Sequence, residues 1–220
     1  DIACIGNHEA DYGFPQLMFL EKCASFPLIN ANLYAKNSCR RLFTPYRVIE
    51  KDGMKILFIG IITKDILAEA KKDDLIGPLI EASDAVQEVS RVCSAYKSAD
   101  IDLTVLLTHI GIEADKKLAA NIHPSCGVDI IIGGHSHTVM EHPIEVNNIL
   151  IVQAGTGTDY IGRFDIDIDT DRNAASSYEW RLEPVDSAHC ERDEKLERLI
   201  SDYKTQTDLK YSRVVTHFAR

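Results

Sequence analysis

The chain has 220 residues and a net charge of −10, with 45% apolar and 26% charged residues. That is an ordinary globular balance, with room for one large domain or two small ones. The acidic surplus argues against a nucleic-acid backbone as partner, since such binding rests on neutralising phosphates. No apolar run approaches the roughly 20 residues that a membrane-spanning helix needs.

The first apolar run, Ile2 to Ile5, reads as a short buried strand that stops at Gly6. A helix is predicted over Pro15–Ser25, with Leu17, Met18, Leu20 and Cys23 on one side and Pro15 in the first turn. Pro27 to Ala31 is another apolar run. Asp52-Gly53 lies between apolar runs and signals a hairpin. Leu57 to Ile62 is apolar almost throughout, as a strand buried on both faces should be.

Ala82 to Ala99 carries apolar residues at helical spacing, among them Val86, Val89, Val92 and Cys93. A buried strand follows at Leu103–Leu107, then a helix at Glu113–Asn121, then a buried strand that ends at Gly133. Strand and helix alternate, which predicts an α/β layered fold with functional loops at the carboxyl ends of the strands. Beyond His137 antiparallel pairing is expected: a hairpin around Asn147-Asn148, an alternating strand at Phe164, Ile166 and Ile168, and a partner at Ser177–Leu182. Glu194–Leu209 reads as a charged helix with Leu196, Leu199, Ile200 and Tyr203 along one stripe.

The six cysteines form no Cys-x-x-Cys pair. A zinc knuckle is therefore not expected, and free, mostly buried thiols are. Such thiols favour a reducing compartment.

Three buried strands end in metal-ligand residue types: Asn7-His8, His109, and His135-Ser136-His137. Imidazole nitrogen and carboxamide oxygen suit borderline and hard divalent ions. Gly6, Gly111, Gly133 and Gly134 stand beside them and permit close backbone approach. One histidine at a strand end is more often a hydrogen-bonded surface residue than a ligand; three such ends in one chain argue for a site. Neighbouring parallel strands are expected to set these ends side by side. His123, His142, His189 and His217 lack that context and read as surface or packing residues. Asp11, three positions after His8, is within reach of it. Glu9, Asn30 and Asn32 read as structural.

GNHE at Gly6–Glu9, Thr108-His109 with a following glycine, and GGHSH at Gly133–His137 resemble the later motifs of the calcineurin-like metallophosphoesterases. GNHEADYG, NANLY at Asn30–Tyr34 and VQAGTGTDYIGRFDID at Val152–Asp169 resemble the 5′-nucleotidase, UDP-sugar hydrolase and 2′,3′-cyclic phosphodiesterase branch of that family. The resemblance implies a four-layer αββα sandwich and hydrolysis of nucleotide phosphate esters by a hydroxide activated between two divalent ions (Mn, Zn, Co or Mg). It implies Asn7, His109 and His135 as ligands of the second ion and His137 as a ligand of the first. It implies His8 as the catalytic histidine near the phosphate and Asp11 as its orienting carboxylate. A histidine so placed can stabilise the phosphoryl group or protonate the leaving oxygen.

The family pattern also calls for an Asp-x-His and a Gly-Asp upstream of GNHE, and neither occurs in the 220 residues. The expected organisation is a partial catalytic domain over 1–209, truncated at its N-terminus. Residues 210–220 are then a linker and the first strand of a C-terminal nucleotide-binding domain. Two functions are expected to compete: a metal-dependent nucleotide hydrolase, and a catalytically incomplete folded domain that only binds metal. Self-association through exposed sheet edges is expected of such a piece. Family habit points to the periplasm or secretion, against the reducing compartment that free thiols favour.

Overall fold

Short apolar runs bounded by turn residues build the centre of the molecule. The structure, a computed structural model, describes residues 1–36, 38–65 and 80–212. The elements of the first half are β1 (Ala3–Cys4), α1 (Phe14–Cys23), β2 (Leu28–Ile29), β3 (Leu33–Ala35), β4 (Arg40–Arg41), β5 (Tyr46–Lys51), β6 (Met54–Ile62) and β7 (Ile80–Ala82). Then come α2 (Ala85–Ala95), β8 (Leu103–His109), α3 (Ile112–Asn121), β9 (Ile130–Ile132), β10 (Ile144–Val146), β11 (Ile149–Val152), β12 (Tyr160–Asp169), β13 (Ala174–Pro184) and α4 (Glu194–Tyr211).

A six-stranded sheet runs in the order β10-β11-β9-β8-β6-β5. Its four inner strands are parallel and both edge strands antiparallel. Both edges are hairpins whose turn residues, Asp52-Gly53 and Asn147-Asn148, all have positive φ. That backbone matches the twist of the paired strands, and Gly and Asn tolerate it.

Alternate side chains separate the two faces. Leu57, Ile59, Ile61, Leu106 and Ile131 pack against Val89 and Val92 of α2 and Leu118 and Ala119 of α3. On the other face Leu103, Val105, Ile130 and Leu150 meet Phe164, Ile166 and Ile168 of β12. Each fully buried Leu or Ile contributes about 1.5–3 kcal/mol. β1 pairs in parallel with β2 and packs against β6 and β8 from the same side as β12. Ile5 joins Phe14 and Leu17 of α1 in a further cluster with Leu33 and Ile62. Helices, sheet, second strand layer and α1 follow one another as in an αββα sandwich. The second strand layer comes as separate pieces, β1-β2 and β12-β13.

Gly60 explains how closely the two strand layers meet. A Cβ there would lie 2.3 Å from the Ile29 carbonyl oxygen, and the Ala31 N–H donates to the Gly60 carbonyl at 2.8 Å. Only glycine permits that approach.

Four sequence expectations are corrected. β1 is not a neighbour of β8 and β9 in one sheet; its end reaches theirs across the layers. The helix predicted from Ala82 begins at Ala85, because Ile80–Ala82 pairs with β3 and the Asp84 side chain caps the Gln87 N–H. β11 is antiparallel to β10 as expected, yet also pairs in parallel with β9, so this hairpin widens the main sheet. The last helix runs through Tyr211, two residues beyond the expected end at Leu209. The strand expected from 213 to 220 lies outside the described residues.

The chain divides into two compact units, Asp1–Glu183 and Pro184–Arg220. In the second, Asp193 caps α4 by accepting from the N–H groups of Lys195 and Leu196. All six cysteines are free thiols.

Candidate metal centre

Three structural devices bring the site together. The first is the turn after β1. Gly6 donates its N–H to Glu9 Oε2 at 2.6 Å, which starts a 3-10 turn at Asn7–Ala10. Ala10 is buried, Asn7 turns inward, and His8 stays exposed. Glu9 is thus structural, as its position suggested.

The second device is the end of β8. His109 is flanked by two glycines of other segments: a Cβ at Gly6 would lie 3.0 Å from its Cε1, and one at Gly134 would lie 3.1 Å from its Nδ1. Burial, followed by the neighbouring His135, holds the His109 imidazole below its ordinary pKa, and Glu9 opposes the shift. The sign favours a neutral ring, the form in which histidine binds a metal.

The third device is the loop after β9. His135 and His137 both have positive φ, 78° and 54°. For residues with a β-carbon this backbone costs on the order of 1–3 kcal/mol each, and it clusters at functional sites. A buried polar relay holds the loop. The Thr108 hydroxyl donates to Asp115 Oδ1 at 2.6 Å, and Gln153 Nε2 donates to Asp115 Oδ2 and to the Gly134 carbonyl. The Ser136 hydroxyl donates to Gln153 Oε1 and accepts from the Ile112 N–H. Burial pushes the Asp115 carboxyl up to about 6 against these hydrogen bonds.

Together these devices place three donor atoms around one point. Asn7 Oδ1 lies 2.9 Å from His109 Nε2 and 3.1 Å from His135 Nδ1. The two rings meet edge to face with centroids 5.2 Å apart. His8 Nδ1 and Asp11 Oδ2 are 2.9 Å apart on the same turn. His137 is exposed, and its charge acts on His109. Among the described residues it is not hydrogen-bonded to Asn7, His109 or His135. A carboxamide oxygen with two imidazole nitrogens is a donor set that borderline divalent ions accept. Among the described residues no three His, Cys, Asp or Glu side chains form a metal-holding group. The trio has only two members of those types, and Asn7 supplies the third donor.

A family model described as calcineurin-like phosphoesterase matches residues 1–139. The chain belongs to the calcineurin-like phosphoesterase family. It is 33% identical over 192 residues to a 5′-nucleotidase of Vibrio cholerae, covering 75% of this chain and 34% of that protein. The solved structure of a 5′-nucleotidase precursor from Thermus thermophilus superposes with a TM-score of 0.81 at 23% identity, over 98% of this chain and 45% of that one. The calcineurin-like phosphoesterase YfkN from Bacillus subtilis gives 0.79 at 26% identity, over 97% and 72%. The chain thus spans about a third of the length of the Vibrio relative.

Within this phosphoesterase scaffold the structure brings Asn7, His109 and His135 together and pairs His8 with Asp11. His123 and His189 are bound up in local turns with Ser125 and Asp186; His217 lies outside the described residues. Asn30 and Asn32 bond to each other and to the backbone of Leu33 and Ile62, a loop-stitching role. Sequence reasoning missed Asp115 and Gln153. Asp65, a carboxylate outside the motifs, has its Oδ2 3.3 Å from His135 Nε2.

Proposed function

We propose that this chain is the greater part of the catalytic domain of a metal-dependent phosphoester hydrolase of the 5′-nucleotidase type, acting on nucleotides. The observation that carries the reading is the convergence of Asn7 Oδ1, His109 Nε2 and His135 Nδ1 beside the His8–Asp11 pair. The nucleotide rests on the names of the relatives.

Asn7, His109 and His135 would hold one divalent ion, and His137 would serve a second. When bound, such ions supply Lewis-acid polarisation of the phosphoryl group and acidify water. The chain's own residues do the rest. Asp11 engages His8 Nδ1, so proton transfer falls to Nε2. A carboxylate at the rear fixes the ring's orientation, and an Nε2–H so aimed can donate to the leaving oxygen. The relay through Asp115 and Gln153 fixes the loop that carries His135 and His137. By family habit the intact enzyme works outside the cytoplasm; the free thiols point the other way.

A second reading, a folded metal-binding domain without turnover, is favoured by the donor count. Three donors serve one ion, and within these 220 residues His137 alone is assigned to the other. Calorimetry with Mn²⁺ or Zn²⁺ and phosphate release from AMP, run side by side, separate the two. We expect one tight ion per chain and slow turnover from the 220 residues. No ion bound under any metal would overturn the metal-site reading; two tight ions with rapid turnover would overturn the second reading.

A further inference from the structure

His135 presents its two ring nitrogens to two different partners. Nδ1 faces Asn7 Oδ1, the centre of the donor trio, at 3.1 Å. Nε2 lies 3.3 Å from Asp65 Oδ2, within ion-pair distance. His109 differs: its Nε2 faces Asn7, while its Nδ1 abuts the Gly134 backbone.

Asp65 is not placed at random. It belongs to the turn that follows β6. The Thr63 N–H donates to the His109 carbonyl at 3.0 Å, and the Asp65 N–H donates to Thr63 Oγ1 at 3.2 Å. The segment carrying the carboxylate is therefore tied to the backbone of one histidine of the trio while its side chain reaches the other. Asp65 is 69% exposed at its side chain and His135 29%. So water competes for the carboxylate, and the pairing gains strength only when the ring needs it.

The ring needs it when Nδ1 binds an ion. An imidazole nitrogen that donates its lone pair to a metal carries no proton, so the ring proton must sit on the other nitrogen. A carboxylate at that nitrogen fixes the tautomer, sets the ring's rotation and raises its basicity.

We propose that Asp65 is a positioning residue of the metal centre, accepting the Nε2 proton of His135 and thereby presenting Nδ1 to the ion. This rests on the reading that Asn7, His109 and His135 hold a divalent ion.

The test uses the 220-residue chain with Zn²⁺ and ¹⁵N-labelled histidine. In the parent, long-range ¹H–¹⁵N NMR should show the Zn²⁺-loaded His135 with its proton on Nε2. Asp65→Ala should weaken Zn²⁺ binding by about 10–100-fold and leave the metal-free melting temperature unchanged. Asp65→Asn and Asp65→Glu, which keep an oxygen acceptor, should recover part of the loss. His135→Ala separates this inference from the reading beneath it. If His135→Ala binds Zn²⁺ like the parent, the metal-site reading fails. If His135→Ala loses the ion while Asp65→Ala stays within twofold of the parent with the same tautomer, the role of Asp65 is overturned and the site stands. If Asp65→Ala weakens binding with the tautomer intact, and Co²⁺ absorption shows a lost ligand, Asp65 binds the ion itself and the positioning role is wrong.

Discussion

Asn7 and His109 lie 102 positions apart in sequence and 2.9 Å apart in space. They come from different layers, one from the turn after β1 and one from the end of β8. The imidazole fits between Gly6 of one layer and Gly134 of its own sheet because neither glycine carries a side chain. A methyl group at either glycine would press on the ring. The candidate metal centre is therefore as much a product of missing side chains as of present ones.

The first prediction separates the acid from the ligands. His8 and Asp11 pair on the exposed side of the turn, and Asn7 faces His109 and His135. In the full-length enzyme His8→Ala should lower turnover by about 10²–10⁴-fold with metal content unchanged. His135→Ala should empty the ion site and lose activity with it. Metal analysis by mass spectrometry beside steady-state rates reads both. A His8→Ala protein that loses its metal in step with its rate would show that His8 is a ligand.

The second concerns acid–base stability. Burial raises the Asp115 carboxyl from 3.8 to about 6. The folded state thus holds this proton more tightly than the unfolded chain does. That contribution to stability is full below 3.8 and is lost as pH rises through about 6. At pH 7 the ionised group costs up to about 3 kcal/mol relative to acid pH. Asp129 is raised to about 6 by burial as well and acts in the same direction. His109 is lowered and acts in the opposite direction, so the wild-type profile alone is mixed. The difference between Asp115→Asn and wild type isolates the group: unfolding free energies should converge at acid pH and separate in favour of Asn above pH 6. A constant difference across pH 4 to 8, measured by urea titration, would contradict a buried titrating carboxyl.

How far the sequence reached can be judged from particular residues. The hairpin at Asp52-Gly53 and the buried runs β6 and β8 were legible, because turn chemistry and apolar continuity are local signals. So were Asn7, His109 and His135, through motifs that stand at strand ends. The layer to which β1 belongs was not legible, since a two-residue strand carries no periodicity. Asp115 sits in the first turn of α3, where an acid reads as a favourable surface partner of the helix dipole; in the structure it is fully buried. Gln153 is a lone polar residue at the end of an apolar strand, and only the fold shows that it closes the relay behind the loop. Asp65 follows Thr63 and Lys64 in a polar turn after β6, and no local signal says which histidine it lies beside.

Thiol reactivity offers a third prediction. Burial pushes both Cys4 and Cys93 up to about 12. Cys4 Sγ also donates to the Ile61 carbonyl at 3.4 Å. Cys23, Cys39 and Cys190 are exposed. Since the thiolate is the nucleophile, a disulfide reagent at pH 8 should label the exposed three within minutes and Cys4 and Cys93 only in denaturant. Peptide mapping after a short pulse decides it. Rapid labelling of Cys4 would mean that β1 opens from the sheet on that timescale.

The last prediction tests whether the contact between the strand layers supports the site. Gly60 lies two residues before the end of β6, among apolar neighbours where an alanine looks harmless. Its missing Cβ, however, is occupied by backbone: the Ile29 carbonyl oxygen would be 2.3 Å away and the Ile29 carbonyl carbon 2.7 Å. Backbone cannot rotate aside as a side chain can. Gly60→Ala must therefore lift β2 from the sheet, and β1 with it, because the two are paired. Overpacking of this kind costs about 1–3 kcal/mol, readable in urea unfolding. Displacing β1 also displaces the turn that begins at Gly6, so Asn7 should withdraw from His109 and affinity for Mn²⁺ should fall, although residue 60 touches no ligand. Stability within about 0.5 kcal/mol of the parent, a surface-like effect, together with unchanged Mn²⁺ affinity, would show that the two layers have slack. The ligand trio would then owe its geometry to the turn alone.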